Sequence, residues 1–308
     1  MLHIDKNTKL PNFLIIGAAK SGTSSLYRYI KEHPEIFLSN PKEPKFITSN
    51  FIQYPYRGKG DNKIKTITKI DDYLNLFDDI QEEKAIGEAS ADNLYYHKKA
   101  IPVIKKLLGD TKIVIMLRNP ADRAFSSYNH LIRDNRENYS FEKALKKENY
   151  RISNNYNFLW HYKKVGLYYN QVKAYLDNFS QVKIFLFENL INKKEELLKE
   201  LFGFLEVNDN YLPKNIDLVY NKTGIVKSKK LKDFFDKNFI DKPPAVIRNL
   251  AKIIPQNIKD SITTYVANKN LKKQEIKKDT KQYLINYFRE DILQLQTLIN
   301  RDLSGWLK

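Results

Sequence analysis

The chain has 308 residues, 42% hydrophobic and 13% aromatic, which supplies enough apolar material for a packed core and excludes disorder as its main state. It has no cysteine, which excludes a disulfide scaffold, a cysteine-ligated metal site and a thiol nucleophile. Lysine and arginine total 53 against 36 acidic residues, a formal net charge of +17. No apolar run approaches the roughly 18 residues needed to span a bilayer, and we expect a globular, cytoplasmic protein.

Short apolar runs alternate with helical patterns along the chain. The runs Phe13–Ile16, Ile113–Leu117 and Val182–Phe187 are too short for helices and rich in β-branched or aromatic residues, which is typical of buried strands. Each run is followed by apolar residues at helical spacing. Such repeated strand–helix units predict an α/β fold with a central parallel β-sheet flanked by helices.

The regions outside these units are polar or basic. The insert Asn50–Lys69 contains a proline and two glycines and predicts a long surface loop. The segment Lys222–Lys281 has 16 basic and 6 acidic residues, so it carries about +10 of the net charge. The last third, 222–308, looks mainly helical, and Tyr283–Leu307 has the spacing of a docking helix. Without a long linker or an internal repeat, we expect one domain over 1–308.

The most specific motif follows the first predicted strand and covers Gly17–Leu26. Its small residues allow the backbone to approach an anion closely, and a helix that begins near Thr23 points its free N–H groups and positive dipole end at that anion. Lys20 adds a full positive charge, and Thr23, Ser24 and Ser25 add hydroxyl donors. The motif therefore predicts a site for a phosphate or a phosphate-like group.

The spacing of this loop differs from a Walker A motif, in which lysine follows the second glycine and the next hydroxyl binds Mg²⁺. Here Gly17 and Gly22 fit that pattern, but Lys20 precedes Gly22 and Thr23 occupies the lysine position. The strand that ends at residue 117 is followed by Arg118 instead of the acid that a magnesium site needs. We therefore expect a phosphate site that works without a bound metal.

A second motif, Leu117–Tyr128, lies at the end of the predicted strand Ile113–Leu117. Arg118 falls at the carboxyl end of that strand, the usual ligand edge of an α/β sheet. Pro120 suits the first turn of a helix, which places Ser126 roughly two turns along. A guanidinium and a hydroxyl that converge in this way predict a second phosphate site.

These two motifs resemble those of sulfotransferases: Gly17–Leu26 is similar to their 5′-phosphosulfate loop, and Arg118 to Ser126 is similar to their 3′-phosphate motif. Further similarities follow in chain order and span nearly the whole sequence, at Lys42–Phe46, Gly87–Ser90, Gly166–Tyr169 and Asp302–Leu307. The set is most similar to the heparan-sulfate-type branch and its bacterial relatives. The resemblance implies a P-loop-like sulfotransferase fold with 3′-phosphoadenosine 5′-phosphosulfate (PAPS) as the donor.

The resemblance also implies roles for individual residues. Lys20 and the backbone and hydroxyls of Ser21, Gly22, Thr23, Ser24 and Ser25 would hold the leaving phosphate, and Arg118 and Ser126 would hold the 3′-phosphate. Glu43 would be the catalytic base. Two positions depart from the heparan sulfate enzymes: Lys45 stands where they usually have histidine, and Glu88-Ala89 where they have Glu-Lys. An acceptor-side lysine is thus missing or supplied from elsewhere.

The basic run Val226–Lys230 falls where related enzymes place a loop over the nucleotide. Lys227 or Lys229 would suit a polyanionic donor there, although a solvated lysine cluster explains the run equally well. Among the histidines, His130 is the next candidate base after Glu43. We interpret His33 and His97 as surface residues, His3 as part of the leader and His161 as structural. No pair has metal-ligand spacing, so we expect no metal.

Two other classes of function remain as alternatives. A metal-dependent P-loop kinase would need Mg²⁺ and a lysine after the second glycine, and the sequence offers neither. A binder of nucleic acid or of anionic surfaces would depend on the charge of +17 alone, because the chain has no recognisable nucleic-acid-binding motif. We expect no nucleic-acid partner. The acceptor would be a hydroxyl or amine of a carbohydrate or small metabolite; its identity and the oligomeric state are not encoded in these motifs.

Overall fold

A computed structural model describes residues 9–218 and 274–308, and between them the backbone of two short strands. The strands are β1 Phe13–Gly17, β2 Ile36–Leu38, β3 Ala85–Ala89, β4 Lys112–Leu117, β5 Val182–Leu186, β6 Ile225–Val226 and β7 Leu271–Lys272. The helices in the described ranges are α1 Thr23–Ile30, α2 Phe46–Ser49, α3 Ile70–Leu74, α4 His97–Leu108, α5 Pro120–Arg133, α6 Phe141–Lys146, α7 Glu148–Ser153, α8 Tyr169–Asn178, α9 Phe187–Asn192, α10 Lys194–Phe204 and α11 Lys278–Ile299.

Five of the strands form one sheet in the order β2-β3-β1-β4-β5, and every pairing within it is parallel. The α/β fold with a central parallel sheet is therefore confirmed. Within the sheet, β2 and β3 lie on one side of β1, and β4 and β5 lie on its other side. The carboxyl ends of β1 and β4 thus lie side by side where the strand order reverses, which is where α/β sheets bind ligands.

The sheet is covered by helices on both faces. Successive residues of β1 point to opposite faces, so Phe13 and Ile15 pack in one apolar cluster while Leu14 and Ile16 pack in another. The first cluster includes residues of α1 and α10, and the second includes residues of α4, α5, α8 and α11. Because α11 packs in the second cluster, the end of the chain shares the core of the sheet.

Most of the predicted elements are confirmed, with differences at their ends. The three predicted strands are β1, β4 and β5, α1 begins at Thr23, and α5 begins at Pro120. The sequence patterns missed β2, which is only three residues long, and β3, in which glycine and glutamate interrupt the apolar run. The predicted docking helix ends at Ile299, where Asn300 adopts a left-handed conformation, and a separate 3₁₀ turn follows at Ser304–Leu307. The single-domain organisation over 1–308 stays a prediction.

Candidate functional site

Steric constraints explain the glycine at position 22, in the loop after β1. Gly22, at the N-terminus of α1, has φ +93°, a conformation that disfavours any side chain. A Cβ there would lie 2.9 Å from atoms of both Phe187 and Leu190. No acidic side chain lies in the first turn of α1, so the helix does not neutralise the positive end of its own dipole.

Lys20 is the cation of this loop. It is a partly buried residue whose backbone has φ +69°. Burial, together with the nearby guanidinium of Arg133, lowers the pKa of Lys20 from 10.5 to about 7, although Asp134 and Glu43 oppose the shift. A bound, multiply charged phosphate group would raise the pKa of Lys20 again and so keep its ammonium fully protonated. The loop therefore favours an anionic ligand.

Arg118, at the carboxyl end of β4, lies directly against the same loop. Its Nη1 donates a hydrogen bond to the carbonyl oxygen of Lys20 at 3.3 Å, and its guanidinium lies 4.6 Å from the centre of the Phe187 ring. The Asn119 side chain caps α5 by accepting from Ala121 N at 3.0 Å. This cap fixes the direction of α5, on which Ser126 lies buried about two turns along.

The other hydroxyl-bearing residues of the loop lie between Lys20 and the body of α1. Ser21, Thr23 and Ser25 are buried and Ser24 is partly buried. The structure therefore brings the residues predicted for the 5′ site and for the 3′ site to neighbouring strand ends. Lys227 and Lys229 lie outside the described residues, so their predicted contact with the nucleotide stays a prediction.

Glu43 follows β2 and faces the loop. Its backbone N–H donates to the carbonyl of Ala89 at 3.0 Å, which ties it to the end of β3. Its carboxylate is held between two ammonium groups: Lys42 Nζ lies 2.7 Å from Oε1 and Lys45 Nζ lies 3.2 Å from Oε2. Burial alone would raise the pKa of Glu43, but these two lysines outweigh it and hold the pKa well below its usual range. Glu43 is therefore an anion at neutral pH.

His130 lies on α5 and faces Lys20 and Glu43. Its Nδ1 is 2.7 Å from Arg133 Nη2, and because arginine only donates hydrogen bonds, the lone pair of Nδ1 is already engaged. Burial, together with the charges of Lys20 and Arg133, lowers the pKa of His130 to about 2. In this arrangement His130 has no free basic nitrogen, which favours Glu43 as the base.

The other histidines have structural positions. His33 is buried, with its Nε2 at 2.9 Å from the carbonyl of Asn208 and its ring against Phe202, so its interpretation as a surface residue is wrong. The rings that pack on it are Phe202 of α10 and Tyr211 beyond that helix, which the local pattern around residue 33 does not reveal. His97 is partly buried, His161 is buried with its Nδ1 at 3.1 Å from the Tyr95 hydroxyl, and His3 lies outside the described residues.

Aromatic side chains lie near Lys45, which contacts Glu43. The Lys45 ammonium lies 5.2 Å from the centre of the Phe158 ring, and the rings of Tyr54 and Tyr56 meet edge to face with centres 5.1 Å apart. The charge of Asp92 reaches Tyr56 and Tyr96, which places the tyrosines beside that carboxylate. The predicted loop Asn50–Lys69 thus contributes to the wall of the site.

This loop is fastened to the body of the protein by one buried acid. Asp61 accepts hydrogen bonds from Trp160 Nε1 at 3.1 Å and from Asn157 N at 2.9 Å, and it forms an ion pair with Arg136. Because three donors converge on the Asp61 carboxylate, the loop Asn50–Lys69 is held in a fixed position. The polar composition of Asn50–Lys69 correctly indicated a loop but gave no sign of this anchor.

Two contributors to the site, Phe187 and Asp92, were missed at the sequence level, and Trp306 lay in the Asp302–Leu307 motif without an assigned role. Phe187 follows β5 at the ligand edge of the sheet, and that position was the available signal. Asp92 lies two residues beyond the Gly87–Ser90 motif and contacts Lys45, with 3.4 Å between Lys45 Nζ and Oδ2. Trp306 donates from Nε1 to Glu188 at 3.0 Å, and the carbonyl of Trp306 accepts from Asn119, so the end of the chain supports the residue next to Arg118.

Two further observations concern metal sites and membrane-spanning helices among the described residues. Within 9–218 and 274–308 there is no group of three or more His, Asp or Glu side chains that could hold a metal ion. None of the helices described there is both long and apolar enough to cross a membrane.

Comparison with known proteins shows what this chain is similar to. The sequence profile described as "Sulfotransferase family" matches residues 11–210. A solved sulfotransferase from Alicyclobacillus acidocaldarius is 34% identical, with a TM-score of 0.76 over 97% of this chain and 100% of that one. The membrane-associated sulfotransferase of Dictyostelium discoideum is 24% identical over 96% of this chain and 66% of its own length. The human bifunctional heparan sulfate N-deacetylase/N-sulfotransferase 2 is 33% identical over 40% of this chain, a match that covers 13% of that protein.

Proposed function

Because the chain belongs to the sulfotransferase family and is a sulfotransferase, we propose that its donor is PAPS and that its acceptor is a hydroxyl, or an amine, of a carbohydrate or small metabolite. The observation that carries the proposal is the contact between two anion-binding elements: Arg118 Nη1 donates to the carbonyl of Lys20 at 3.3 Å. A nucleotide with phosphates at both its 5′ and 3′ positions matches two such elements at adjacent strand ends.

Each anion-binding element has its own part in the mechanism. Lys20, the N-terminus of α1 and the residues Ser21, Gly22, Thr23, Ser24 and Ser25 hold the 5′-phosphosulfate and stabilise the negative charge that grows on the departing phosphate oxygen. Arg118 and Ser126 hold the 3′-phosphate and so fix the orientation of the nucleotide. The donor supplies the sulfuryl group, and the protein supplies position and charge.

Glu43 acts as the general base. As the acceptor oxygen forms its bond to sulfur and the bond from sulfur to the phosphate oxygen breaks, the acceptor proton passes to the Glu43 carboxylate. The position of Glu43 after β2, tied to the end of β3 and within electrostatic reach of Lys20, supports this role. The engaged lone pair of His130 favours the same assignment.

Three observations support the proposed acceptor class. One of the relatives is named for heparan sulfate, although the chain matches only 13% of that protein's length. Among the aromatic residues near Lys45, Tyr54 is partly exposed and can stack on a sugar ring, whereas Tyr56 and Phe158 are buried. The net charge of +17 suits an anionic acceptor. We keep carbohydrate as the first acceptor class, and a cytoplasmic location as a prediction.

The kinase alternative has less support. Thr23 occupies the position of the Walker lysine and begins α1, and the strand next to the loop ends in Arg118 instead of an acid. A nucleic-acid or anionic-surface binder would use the net charge, but it would not account for the partly buried contact between Lys20 and Arg118.

The test compares nucleotides by thermal shift. We expect 3′,5′-adenosine bisphosphate (PAP), the product, to raise the Tm without added metal, and ATP with Mg²⁺ to raise it much less. Stabilisation by ATP with Mg²⁺ alone would replace this proposal with the kinase. Acceptors are then screened by PAP release from PAPS, with heparosan oligosaccharides, glucosamine, tyrosine and p-nitrophenol as the panel.

A further inference from the structure

Lys45 is a buried cation with two carboxylate partners. Its side chain is 7% exposed, and its Nζ lies 3.2 Å from Glu43 Oε2 and 3.4 Å from Asp92 Oδ2. Asp92 is itself fully buried and also accepts from the Thr48 hydroxyl at 2.9 Å. A buried ammonium between two carboxylates is held from both sides, so Lys45 cannot move away from Glu43 without leaving Asp92 uncompensated.

The backbone of Lys45 is fixed as firmly as its side chain. Its φ is +59°, its N–H donates to Ser90 Oγ at 3.3 Å, and its ammonium lies 5.2 Å from the centre of the Phe158 ring. A left-handed backbone conformation is strained for a non-glycine residue, so it persists only where the surrounding structure holds it in place. Lys45 is therefore held directly before α2, with its backbone bonded to Ser90 just beyond the end of β3.

Lys42 contacts the other oxygen of Glu43 but is held differently. Its Nζ lies 2.7 Å from Glu43 Oε1, its side chain is 18% exposed, and the described residues provide it with no other ion pair. Lys42 can therefore release Oε1 when another group approaches, while Lys45 stays on Oε2. The two oxygens of Glu43 are thus unequal.

We propose, on the basis of the proposed function, that Asp92 and Lys45 form a fixed clamp that positions Glu43 by its Oε2, so that Oε1, released by Lys42, takes the acceptor proton. Lys45 is a positioning residue. The proton moves from the acceptor hydroxyl to Oε1 as the oxygen–sulfur bond forms, and Lys45 keeps its own proton throughout.

Other charged groups lie near Glu43 and Lys45 and contribute to the pH dependence of kcat. Glu43 is also within reach of Lys20 and of His130 on α5. Lys45 is also within reach of Tyr54 and of Glu88 on β3, a carboxyl whose pKa is raised by burial to about 7. Among these groups, Lys45 is the one that contacts both Glu43 and a buried acid. Its removal leaves Glu43 with fewer cations, which moves the pKa of Glu43 upward toward its ordinary value.

The first test is Lys45→Met, assayed by PAP release from PAPS with water as acceptor and with the best acceptor of the panel. We expect kcat to fall about 10²-fold, as when a reacting group is misplaced by about 1 Å. The Tm increase caused by PAP should be unchanged. The acid limb of kcat should move to higher pH, because Glu43 must be ionised to act; a purely structural lysine would lower the Tm without moving this limb.

The second test uses Asp92, since Asp92→Asn keeps the volume of the side chain. We expect kcat to fall about tenfold, a loss of about 1.4 kcal/mol in transition-state stabilisation, with the PAP response unchanged. The kcat of the double variant Lys45→Met/Asp92→Asn should be no lower than that of Lys45→Met. The Tm of the double variant should be higher than that of Lys45→Met, because the buried Asp92 carboxylate, which loses its cation in the single variant, is no longer present.

A matched control lies elsewhere in the chain. Lys105 also contacts an aspartate and a phenylalanine, with 3.9 Å to Asp110 and 4.9 Å to the centre of the Phe179 ring. Lys105→Met and Asp110→Asn should leave kcat and the pH profile unchanged. Unchanged kcat and pH profile in Lys45→Met, unchanged kcat in Asp92→Asn, or additive losses in the double variant would each overturn the clamp. A wild-type protein with neither a PAP response nor PAP release would instead reject the proposed function.

Discussion

Arg118 and Lys20 are 98 residues apart in the chain, yet the guanidinium of Arg118 donates a hydrogen bond to the Lys20 carbonyl at 3.3 Å. The contact joins the end of β4 to the loop after β1. Arg118 in turn lies over Phe187, 4.6 Å from the ring centre, so its guanidinium is supported from the end of β5.

Arg118 should be the source of selectivity for the 3′-phosphate. We expect Arg118→Met to weaken PAP binding by about 10- to 100-fold, the equivalent of the roughly 1.5–3 kcal/mol of a charged hydrogen bond. Adenosine 5′-monophosphate, which lacks the 3′-phosphate, should bind the variant and the wild type with similar affinity. Isothermal titration of both nucleotides measures the difference, and equal losses for the two would place the 3′-phosphate elsewhere.

Lys20 should couple donor binding to proton uptake. Its pKa of about 7 in the free protein is lowered by burial and by Arg133, and a bound phosphate raises it again. Above pH 7 the ammonium must therefore take up a proton on binding, and the Kd for PAP should rise by up to about tenfold per pH unit. Calorimetry in buffers of different ionisation enthalpy detects the uptake, which should vanish in Lys20→Met.

Glu43 should matter for turnover and not for donor affinity. Glu43→Gln keeps the shape of the side chain but cannot accept the proton, so we expect kcat to fall by about 10²–10⁴-fold with the PAP response nearly intact. Rates of PAP release and thermal shifts on the same samples separate the two effects. Retained activity would transfer the role of base to another residue, with His130 as the next candidate.

Gly22 should be irreplaceable in the loop. Gly22→Ala adds a Cβ at 2.9 Å from Phe187 and Leu190 in a backbone with φ +93°, so we expect a lower Tm and weaker PAP binding. Gly203 near the end of α10 is the matched control, because its Cβ would meet no atom within 4 Å. Gly203→Ala should raise the stability by up to about 0.5–1 kcal/mol, as measured by urea unfolding.

Asp61 should hold the wall of the site in place. Asp61→Ala removes the partner of Arg136 and the acceptor for Trp160 Nε1, which should cost about 3–5 kcal/mol of unfolding free energy. The exposed pair of Lys173 and Asp177 is the control, and Asp177→Ala should cost less than about 1 kcal/mol. Urea unfolding of both variants checks this, and similar values would mean that Asp61 is not an anchor.

The sequence by itself determined the alternating strands and helices, the predicted anion-binding loop around Lys20, and the position of Arg118 at a strand end with Ser126 on the helix that follows. These features follow from local patterns: apolar periodicity, small residues before a helix, and a proline at the first turn of α5. The resemblance added Glu43 as the candidate base, which the local Lys-Glu-Pro-Lys pattern would not have selected.

Only the tertiary structure decided how these pieces meet. The clamp on Glu43 needs Asp92, 47 residues beyond Lys45, and the anchored loop needs Trp160, 99 residues beyond Asp61. The burial of His33 depends on Phe202, and the support of Arg118 depends on Phe187. Each contact joins segments that come together only once the parallel sheet is assembled, so no local pattern specifies it; long-range packing sets the partners, and through them the charge and position of each group.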